Sequence, residues 1–294
     1  MELRVLNYFL TVAREKTISK AAEVLHLSQP TLSKQLKDLE EELGVQLFIR
    51  GNREISLTED GVYLQNRGKE ILSLVDTTTS NLQKNEVIGG DIMIGGGETQ
   101  AFHFLSVILN ELMEKYPDIN VHLYSGNADD VKDKIDMGLL DFGLVIDPVE
   151  KQKYEYLPLP ISDRWGILIN ENHALASKAF VTPKDLTDHA LLISNQTLVN
   201  NQLSEWLGEN LSHFNIAGSY NLLYNASLLV KEGNIVAFCI DGIINTKGSG
   251  LVFVPLKPAL NARINIIWKK KQIFSNAGTL LLEKLASHTK TKSS

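Results

Sequence analysis

The stretch AAEVLHLSQPTLSKQLKDLEEELGVQLF, residues 21–48, decides the fold of the N-terminal part of this chain. It opens inside a short helix whose Ala21-Ala22 pair is small enough to let another helix cross closely. Ser28 is a good N-cap and Pro30 suits the first turn of a second helix. Leucines then recur at helical spacing along one face, at Leu32, Leu36, Leu39 and Leu43. The pattern predicts two helices joined by a tight turn.

The opposite face of the second helix is polar and basic. Glutamine can read adenine, Ser and Thr suit base edges or phosphates, and Lys neutralises phosphate. The stretch therefore predicts a helix-turn-helix that enters the major groove of DNA. A merely solvated face is the alternative, but it leaves the preceding helix and the tight turn unexplained. The predicted DNA contacts here are Ser28, Gln29, Pro30, Thr31, Ser33, Lys34 and Lys37.

Two short apolar runs, 45–49 and 54–57, follow this helix and flank the sequence Arg-Gly-Asn-Arg. Gly and Asn favour tight turns, so the runs predict a β-hairpin. A hairpin after a helix-turn-helix is a wing, and Arg50 and Arg53 at its tip are predicted to reach phosphates or the minor groove. The alternative for such exposed arginines is simple solvation.

Residues 58–88 form one long helical pattern that starts at a capping Thr followed by acidic residues. Its apolar positions step by four and three, which is heptad spacing interrupted at Gly68 and Thr78. Pairing with the same helix of a second subunit is the preferred interpretation, and packing within the chain is the alternative. The predicted dimerisation residues are Leu64, Ile71, Val75 and Leu82.

Composition sets limits on the class of protein. The 294 residues are 44% hydrophobic and 22% charged, which is typical of a globular protein with two or three domains. The single cysteine, Cys239, lies in an apolar run, cannot form an intrachain disulfide and is expected to be buried. No signal peptide or membrane-spanning run is apparent, so a cytoplasmic protein without membrane association is expected.

The formal net charge of −6 appears to argue against a nucleic-acid partner. Acidic and basic residues balance within residues 1–57, however, so the excess negative charge lies in the rest of the chain. The charge thus predicts weak non-specific DNA affinity, with more of the binding left to base readout and to the pairing of two half-sites.

From residue 89 onward, short apolar strands such as 91–94, 120–124 and 142–146 alternate with helical segments. This alternation predicts βα units and a mostly parallel sheet. A glycine-rich turn, residues 95–97, lies between a strand and a helix expected to start near Thr99, a generic geometry for receiving an anion. The domains are predicted as 1–57 for DNA binding, 58–88 for the linker helix, 89–161 and 267–294 for one α/β lobe, and 162–266 for the other.

The chain resembles the LysR-type transcriptional regulators. The resemblance lies in the segments AAEVLHLSQPTLSKQL (21–36), LE (39–40), LGVQLF (43–48) and LTEDG (57–61). The resemblance implies a winged helix-turn-helix, a dimerising linker helix and a two-lobed α/β effector domain folded like type 2 periplasmic binding proteins. It also implies a homodimer or a tetramer built from dimers. A two-fold dimer would bind double-stranded DNA at an interrupted palindrome, with RNA polymerase as a further partner.

The resemblance places a small-molecule effector in the cleft between the lobes. The residues expected to contact it are Gly97, Thr99, Gln100, Ser125, Gly126, Asn127, Ser194, Asn195 and Thr197. Two acids depart from the usual pattern, Glu98 beside Thr99 and Asp241 at the end of the run 235–240. Glu98 would repel an anionic ligand unless it points to solvent, so a neutral or amine-bearing effector stays open.

Two other classes of function compete with a regulator. An enzyme is disfavoured because no pair of histidines has metal-ligand spacing and no nucleophile motif is present; no cofactor or metal is expected. A solute-binding protein would explain residues 91–294, but it needs export and leaves the helix-turn-helix without a role. The sequence therefore predicts a DNA-binding transcriptional regulator controlled by an effector.

Overall fold

The computed structural model describes residues 1–51, 54–82, 88–147, 149–150, 152–208 and 213–291. The chain divides into two compact units, Met1–Gln83 and Lys84–Ser294. The first unit has one hydrophobic core, built around Leu6, Phe9 and Leu32, and the second has several apolar clusters of its own.

The N-terminal unit begins with three helices, then a hairpin, then a long helix. Thr17 and Ser28 cap the second and third helices by accepting the backbone N–H groups of Lys20 and Thr31. Gly44 ends the third helix in the left-handed conformation, with φ of 69°. The two helices and tight turn predicted from residues 21–48 are confirmed. In order the elements are α1 (Leu3–Glu15), α2 (Ile18–Val24), α3 (Gln29–Leu43), β1 (Phe48–Arg50), β2 (Ile55–Leu57) and α4 (Glu59–Leu82).

The hairpin of β1 and β2 is antiparallel and shorter than the predicted strands. Its first strand starts at Phe48 because the residues before it are held by α3. The Glu40 carboxylate accepts the N–H groups of Leu47 and Phe48, at 2.7 and 3.2 Å. These two hydrogen bonds keep residues 47 and 48 close to α3, so strand pairing starts only at Phe48.

Helix α4 starts as predicted, but its first half packs on its own unit. Leu64 is 9% exposed and belongs to the core that contains Leu6. Gly68 lies so close to α1 that an added Cβ would be 2.9 Å from Leu6 Cδ1. This corrects the prediction for Leu64, which packs within its own chain, and the pairing of α4 with a second subunit stays a prediction. The helix is described to Leu82, residues 83–87 lie outside the described part, and Ile88 is not helical.

The C-terminal unit alternates strands and helices, as predicted. The strands predicted at 91–94, 120–124 and 142–146 are present; the first two are longer than expected and the third has the expected bounds. The elements are β3 (Gly90–Gly96), α5 (Phe102–Lys115), β4 (Ile119–Ser125), α6 (Ala128–Asp136), β5 (Phe142–Ile146), β6 (Tyr154–Asn170), the 3-10 helix Pro183–Leu186, β7 (Ala190–Ser194), α7 (Thr197–Leu207), β8 (Asn215–Tyr220), α8 (Leu223–Glu232), β9 (Ile235–Ile240), β10 (Leu251–Pro255), β11 (Asn261–Lys269) and α9 (Asn276–Thr291).

The strands form two lobes joined by two long strands. The first lobe has the order β4-β3-β5-β11-β6, and the second continues from β6 through β9 and β7 to β8, with β10 also on β6. Strands β3, β4 and β5 are parallel to one another, and β7 is parallel to both β8 and β9. Strands β6 and β11 run antiparallel along almost their whole length, from Arg164 opposite Asn261 to Tyr154 opposite Lys269.

The expectation of a mostly parallel sheet was therefore incomplete. The chain passes from the first lobe to the second along β6 and returns along β11, so these strands must run in opposite directions. Cys239 lies on β9 with 2% exposure, as expected, and burial raises its pKa. In the described part of the chain, no helix is both long and apolar enough to cross a membrane.

Candidate functional site

The N-terminal turn of α3 presents a compact polar surface. The Ser28 hydroxyl lies 2.7 Å from that of Thr31, so the cap and the predicted contact residue share a hydrogen bond. Gln29 accepts a hydrogen bond from Ser19 of α2 through Oε1, at 3.1 Å. Its amide NH2 group donates to none of the described residues. Gln29 is thus linked to α2 through its amide oxygen.

The two lysines on this face differ in their surroundings. Lys37 pairs with Glu41 one turn later, with 3.1 Å between Nζ and Oε1. Lys34 is exposed and forms no ion pair with the described residues. Pro30 is exposed and Ser33 half-buried beside it. Among the described residues, Lys34 is therefore the lysine of this face that has no ion pair.

The wing can be followed only in part. Gly51 donates its N–H to the Glu54 carbonyl at 3.0 Å, which closes the turn. Arg50 ends β1, but its side chain lies outside the described part of the structure, as does the whole of Arg53. The predicted role of these two arginines remains a prediction.

Beyond Gly68, α4 carries exposed apolar side chains, although Leu72 still packs against the core of its own unit. Ile71 and Leu74 are 36% and 43% exposed, and Val75 is half-buried. The side chain of Leu82 lies outside the described part. The second half of the helix thus exposes apolar side chains, and pairing with a second chain through them stays a prediction.

A cavity of about 60 Å³ lies between the two lobes of the C-terminal unit. The first lobe contributes the loop after β3, with Gly97, Glu98 and Thr99. The second lobe contributes Ser194 and Gln196 after β7 and the residues that begin α8. We call this space the cleft cavity. The rest of its wall is mainly apolar, with Leu144, Val145, Ile146, Trp165, Leu222, Leu223, Ile240, Ile243 and Ile264.

Thr99 is bound into the fold rather than free. Its hydroxyl donates to the Asp163 carboxylate and accepts the N–H of Ala101 at 3.0 Å. These bonds delay the start of α5 to Phe102. Burial raises the pKa of Asp163, and the bonds from Thr99 and Ala101 counteract part of that rise. Asp163 was missed by sequence reasoning because only the fold brings β6 next to the loop after β3.

Glu98 crosses the cleft instead of pointing to solvent. Its Oε2 accepts the N–H of Leu223, the first residue of α8 in the second lobe, at 2.6 Å. Beside it, Gln100 donates through Nε2 to the Gly242 carbonyl, also in the second lobe. Gln100 faces a neighbouring open groove in which Arg164 pairs with Asp241 at 2.6 Å. Glu98 and Gln100, two positions apart in the first lobe, thus both bond to the second lobe.

The other predicted effector contacts divide into two groups. Gly97 and Ser194 line the cleft cavity, whereas Asn195 is exposed beside it and the Thr197 side chain lies outside the described part. Ser125, Gly126 and Asn127 are not among the described residues of the wall. Asn127 is the N-cap of α6, because its Oδ1 accepts two N–H groups at 2.9 Å. Ala128 lines the cavity in their place.

Tyr220 also reaches the cleft cavity and was not predicted. Its hydroxyl donates to the Phe238 carbonyl, and burial, with smaller effects of Cys239 and Glu98, raises its pKa. It stands at the end of β8, an alternating strand whose last residue faces inward. No local motif marked it.

Each of the two units matches a known protein family. The profile of the lysR-family bacterial regulatory helix-turn-helix protein matches residues 3–62, and that of the LysR substrate binding domain matches residues 85–290. The Hca operon transcriptional activator HcaR of Escherichia coli is 29% identical over 98% of this chain and 100% of its own length. The uncharacterized regulator YvbU of Bacillus subtilis is 29% identical over 66% of this chain and 65% of its own length.

Solved structures show the same fold. The crystal structure of full-length CbnR complexed with its target DNA covers 99% of this chain and 100% of that one, with a TM-score of 0.73 at 19% identity. Full-length BenM covers 100% of this chain and 98% of its own, with a TM-score of 0.55 at 24% identity. At such identities, the likeness establishes architecture and leaves the ligand open.

Proposed function

This chain belongs to the LysR family of bacterial transcriptional regulators, and we propose that a small molecule bound in the cleft cavity controls its binding to DNA. The chain is a DNA-binding transcriptional regulator with an effector-binding domain. The observation that carries the proposal is the cavity itself, since it lies between two lobes that are linked by strands β6 and β11 and by cross-cleft hydrogen bonds such as that from Leu223 to Glu98.

On DNA, the proposed contacts are the outer face of α3 and the wing. Exposed Gln29, Pro30 and Thr31, with Ser28 and Ser33 beside them, would face base edges and phosphates, and Lys34 and Lys37 would contact phosphates. Arg50 and Arg53 belong to the proposal on sequence grounds alone. CbnR forms a complex with its target DNA and shares this fold, which supports the assignment.

We propose that two chains pair through the second half of α4, where Ile71 and Val75 continue the stripe that Leu64 starts inside the core. Two-fold pairing places two α3 helices about 34 Å apart on one face of DNA, so the operator is an interrupted palindrome. Two such dimers can associate into a tetramer. Binding of the tetramer would bend the DNA and so change the access of RNA polymerase to the promoter.

The effector has to bind one lobe arrangement better than another, because only a difference in affinity shifts a conformational equilibrium. Without ligand, Glu98 and Gln100 form hydrogen bonds to Leu223 and Gly242 that link the two lobes. A bound ligand would replace these hydrogen bonds with its own contacts. The protein binds its ligand rather than converting it, and it acts in the cytoplasm on the chromosome. The domain boundaries 1–57, 58–88, 89–161, 162–266 and 267–294 are part of this proposal.

Removal of residues 1–88 tests the assignment of the two activities. The remaining unit has its own apolar clusters and is expected to keep its fold and its ligand binding, while specific DNA binding disappears. Circular dichroism, a ligand-binding titration and a gel-shift assay measure the three properties. Operator binding by the truncated protein would contradict the assignment.

A further inference from the structure

We propose that the cleft cavity takes a small organic cation, an amine attached to an apolar group, with Glu98 as its counter-ion. The inference rests on the proposed effector site and adds the chemical class of the ligand. It is carried by the charge of the wall, by the bond that Glu98 makes across the cleft, and by the side chains around it.

The charge of the cavity has one sign. Glu98 is the one charged side chain among the described residues that line it. The Arg164 guanidinium lies in the neighbouring open groove and is paired with Asp241 at 2.6 Å. A ligand carboxylate entering here would lose its hydration shell and meet another carboxylate without a basic partner.

The N-terminus of α8 does not offset this charge, because it is already occupied. Free N–H groups at a helix N-terminus attract anions, and at α8 the Glu98 carboxylate fills that position by accepting the Leu223 N–H at 2.6 Å. An anionic ligand would have to displace Glu98 and then remain near it. A cationic ligand needs only to approach the carboxylate.

The rest of the wall suits the apolar body and the charge of such a ligand. Trp165 and Tyr220 are aromatic, and a cation is attracted to the face of an indole or phenol ring. Ile240, Ile243 and Ile264 offer aliphatic contact. A carboxylate, two aromatic rings and an aliphatic floor together favour an ammonium group on an apolar skeleton over a sugar, a phosphate or a dicarboxylate.

The size of the cavity connects this binding to lobe movement. A cavity of about 60 Å³ is smaller than the roughly 300–1,000 Å³ of pockets that hold drug-sized ligands, so a ligand of that size would need a wider separation of the lobes. The Glu98–Leu223 bond lies across the opening. A ligand ammonium that attracts the Glu98 carboxylate therefore weakens a bond that holds the lobes in this arrangement, which couples occupancy to the shape of the effector unit.

Matched probes test the proposal on the full-length protein. They are 2-phenylethylamine, 2-phenylethanol and phenylacetate, with the corresponding cyclohexyl set, titrated by calorimetry. We expect at least one amine to bind roughly tenfold more tightly than its own alcohol and acid. In Glu98→Gln the amine should fall to the affinity of the alcohol, because the amide keeps an oxygen for the Leu223 N–H but loses the charge.

Asp241→Asn is the matched control, since it removes a carboxylate that pairs with Arg164 outside the cavity wall, and the amine preference should survive it. Tighter binding of an acid, an amine preference unchanged in Glu98→Gln, or no binding by either amine would overturn the inference. Tighter acid binding would assign the site to the N-terminus of α7 beside Gln196. A gel-shift assay on the same preparations separates the two claims, because loss of sequence-specific DNA binding contradicts the proposed function and leaves the probe result standing.

Discussion

Gln29 illustrates what one residue can and cannot reveal. Its place in the first turn of α3 followed from the Ser28 cap and Pro30, which are signals within a few residues of sequence. Its bond to Ser19 did not, because it depends on how α2 crosses α3. That bond uses the amide oxygen, and we propose that the NH2 group faces DNA.

Gln29→Ala should weaken binding to the specific operator by about 1–3 kcal/mol, the range for one bidentate base contact. Binding to random DNA should change little, since phosphate contacts supply most of it. Competition gel shifts with operator and random duplexes measure both affinities. Gln65→Ala on α4 is the control for loss of an amide, and equal losses on both duplexes would remove Gln29 from base readout.

Lys34→Ala should reduce the salt dependence of DNA binding, because this exposed lysine forms no ion pair with the described residues. Each phosphate contact contributes a slope of about 0.9 in log K against log salt concentration. Titrations at several salt concentrations should show a slope smaller by about that amount. Lys69→Ala on α4 should leave the slope unchanged; an unchanged slope in Lys34→Ala would mean that Lys34 reads a base or faces solvent.

At the scale of the element, local chemistry predicted what each segment becomes but not what it touches. The helices, the hairpin and the strands followed from caps, turns and periodicity. Leu64 was misassigned because its fate depends on α1, almost sixty positions earlier in the chain. The contacts of Glu98 with Leu223 and of Thr99 with Asp163 are equally remote in sequence, so no spacing rule could show them.

Gly61→Ala should destabilise the N-terminal unit. An added Cβ at this position would lie 2.2 Å from the Leu47 carbonyl oxygen, which is backbone and cannot swing away. The gain in helix propensity, up to about 1 kcal/mol, is smaller than the cost of overpacking, about 1–3 kcal/mol. Chemical denaturation should show the loss, whereas Val62→Ala next to it, at a 46% exposed position, should be nearly neutral. A more stable Gly61→Ala would contradict the packing of α4 described above.

Ile71→Glu should dissociate the dimer without unfolding the chain. Ile71 is 36% exposed in the single chain, so the substitution spares the core, but in a two-fold seam it buries a pair of unpartnered carboxylates. Sedimentation equilibrium measures the change in association. Asn66→Glu adds the same charge at another exposed position of α4 and should leave the dimer intact. A dimer of unchanged affinity in Ile71→Glu would place the seam elsewhere.

For the whole molecule, net charge did not predict the class of partner, whereas the sequence pattern did predict separate DNA-binding and α/β parts. The −6 of the chain does not oppose DNA binding, because acidic and basic residues balance within residues 1–57. The sequence predicted two functional halves, and two units are observed. The character of the ligand could not be predicted, since the cleft wall assembles from at least six separate segments of the C-terminal unit.

The central claim is that a symmetric pair of helix-turn-helix units reads a specific DNA sequence. Selection of bound duplexes from a randomised pool by the full-length protein tests it most directly. We predict enrichment of an interrupted palindrome whose half-sites lie about 10 base pairs apart, or a multiple of that distance. A pool that stays random after selection, or enriches only an asymmetric single site, would contradict the account.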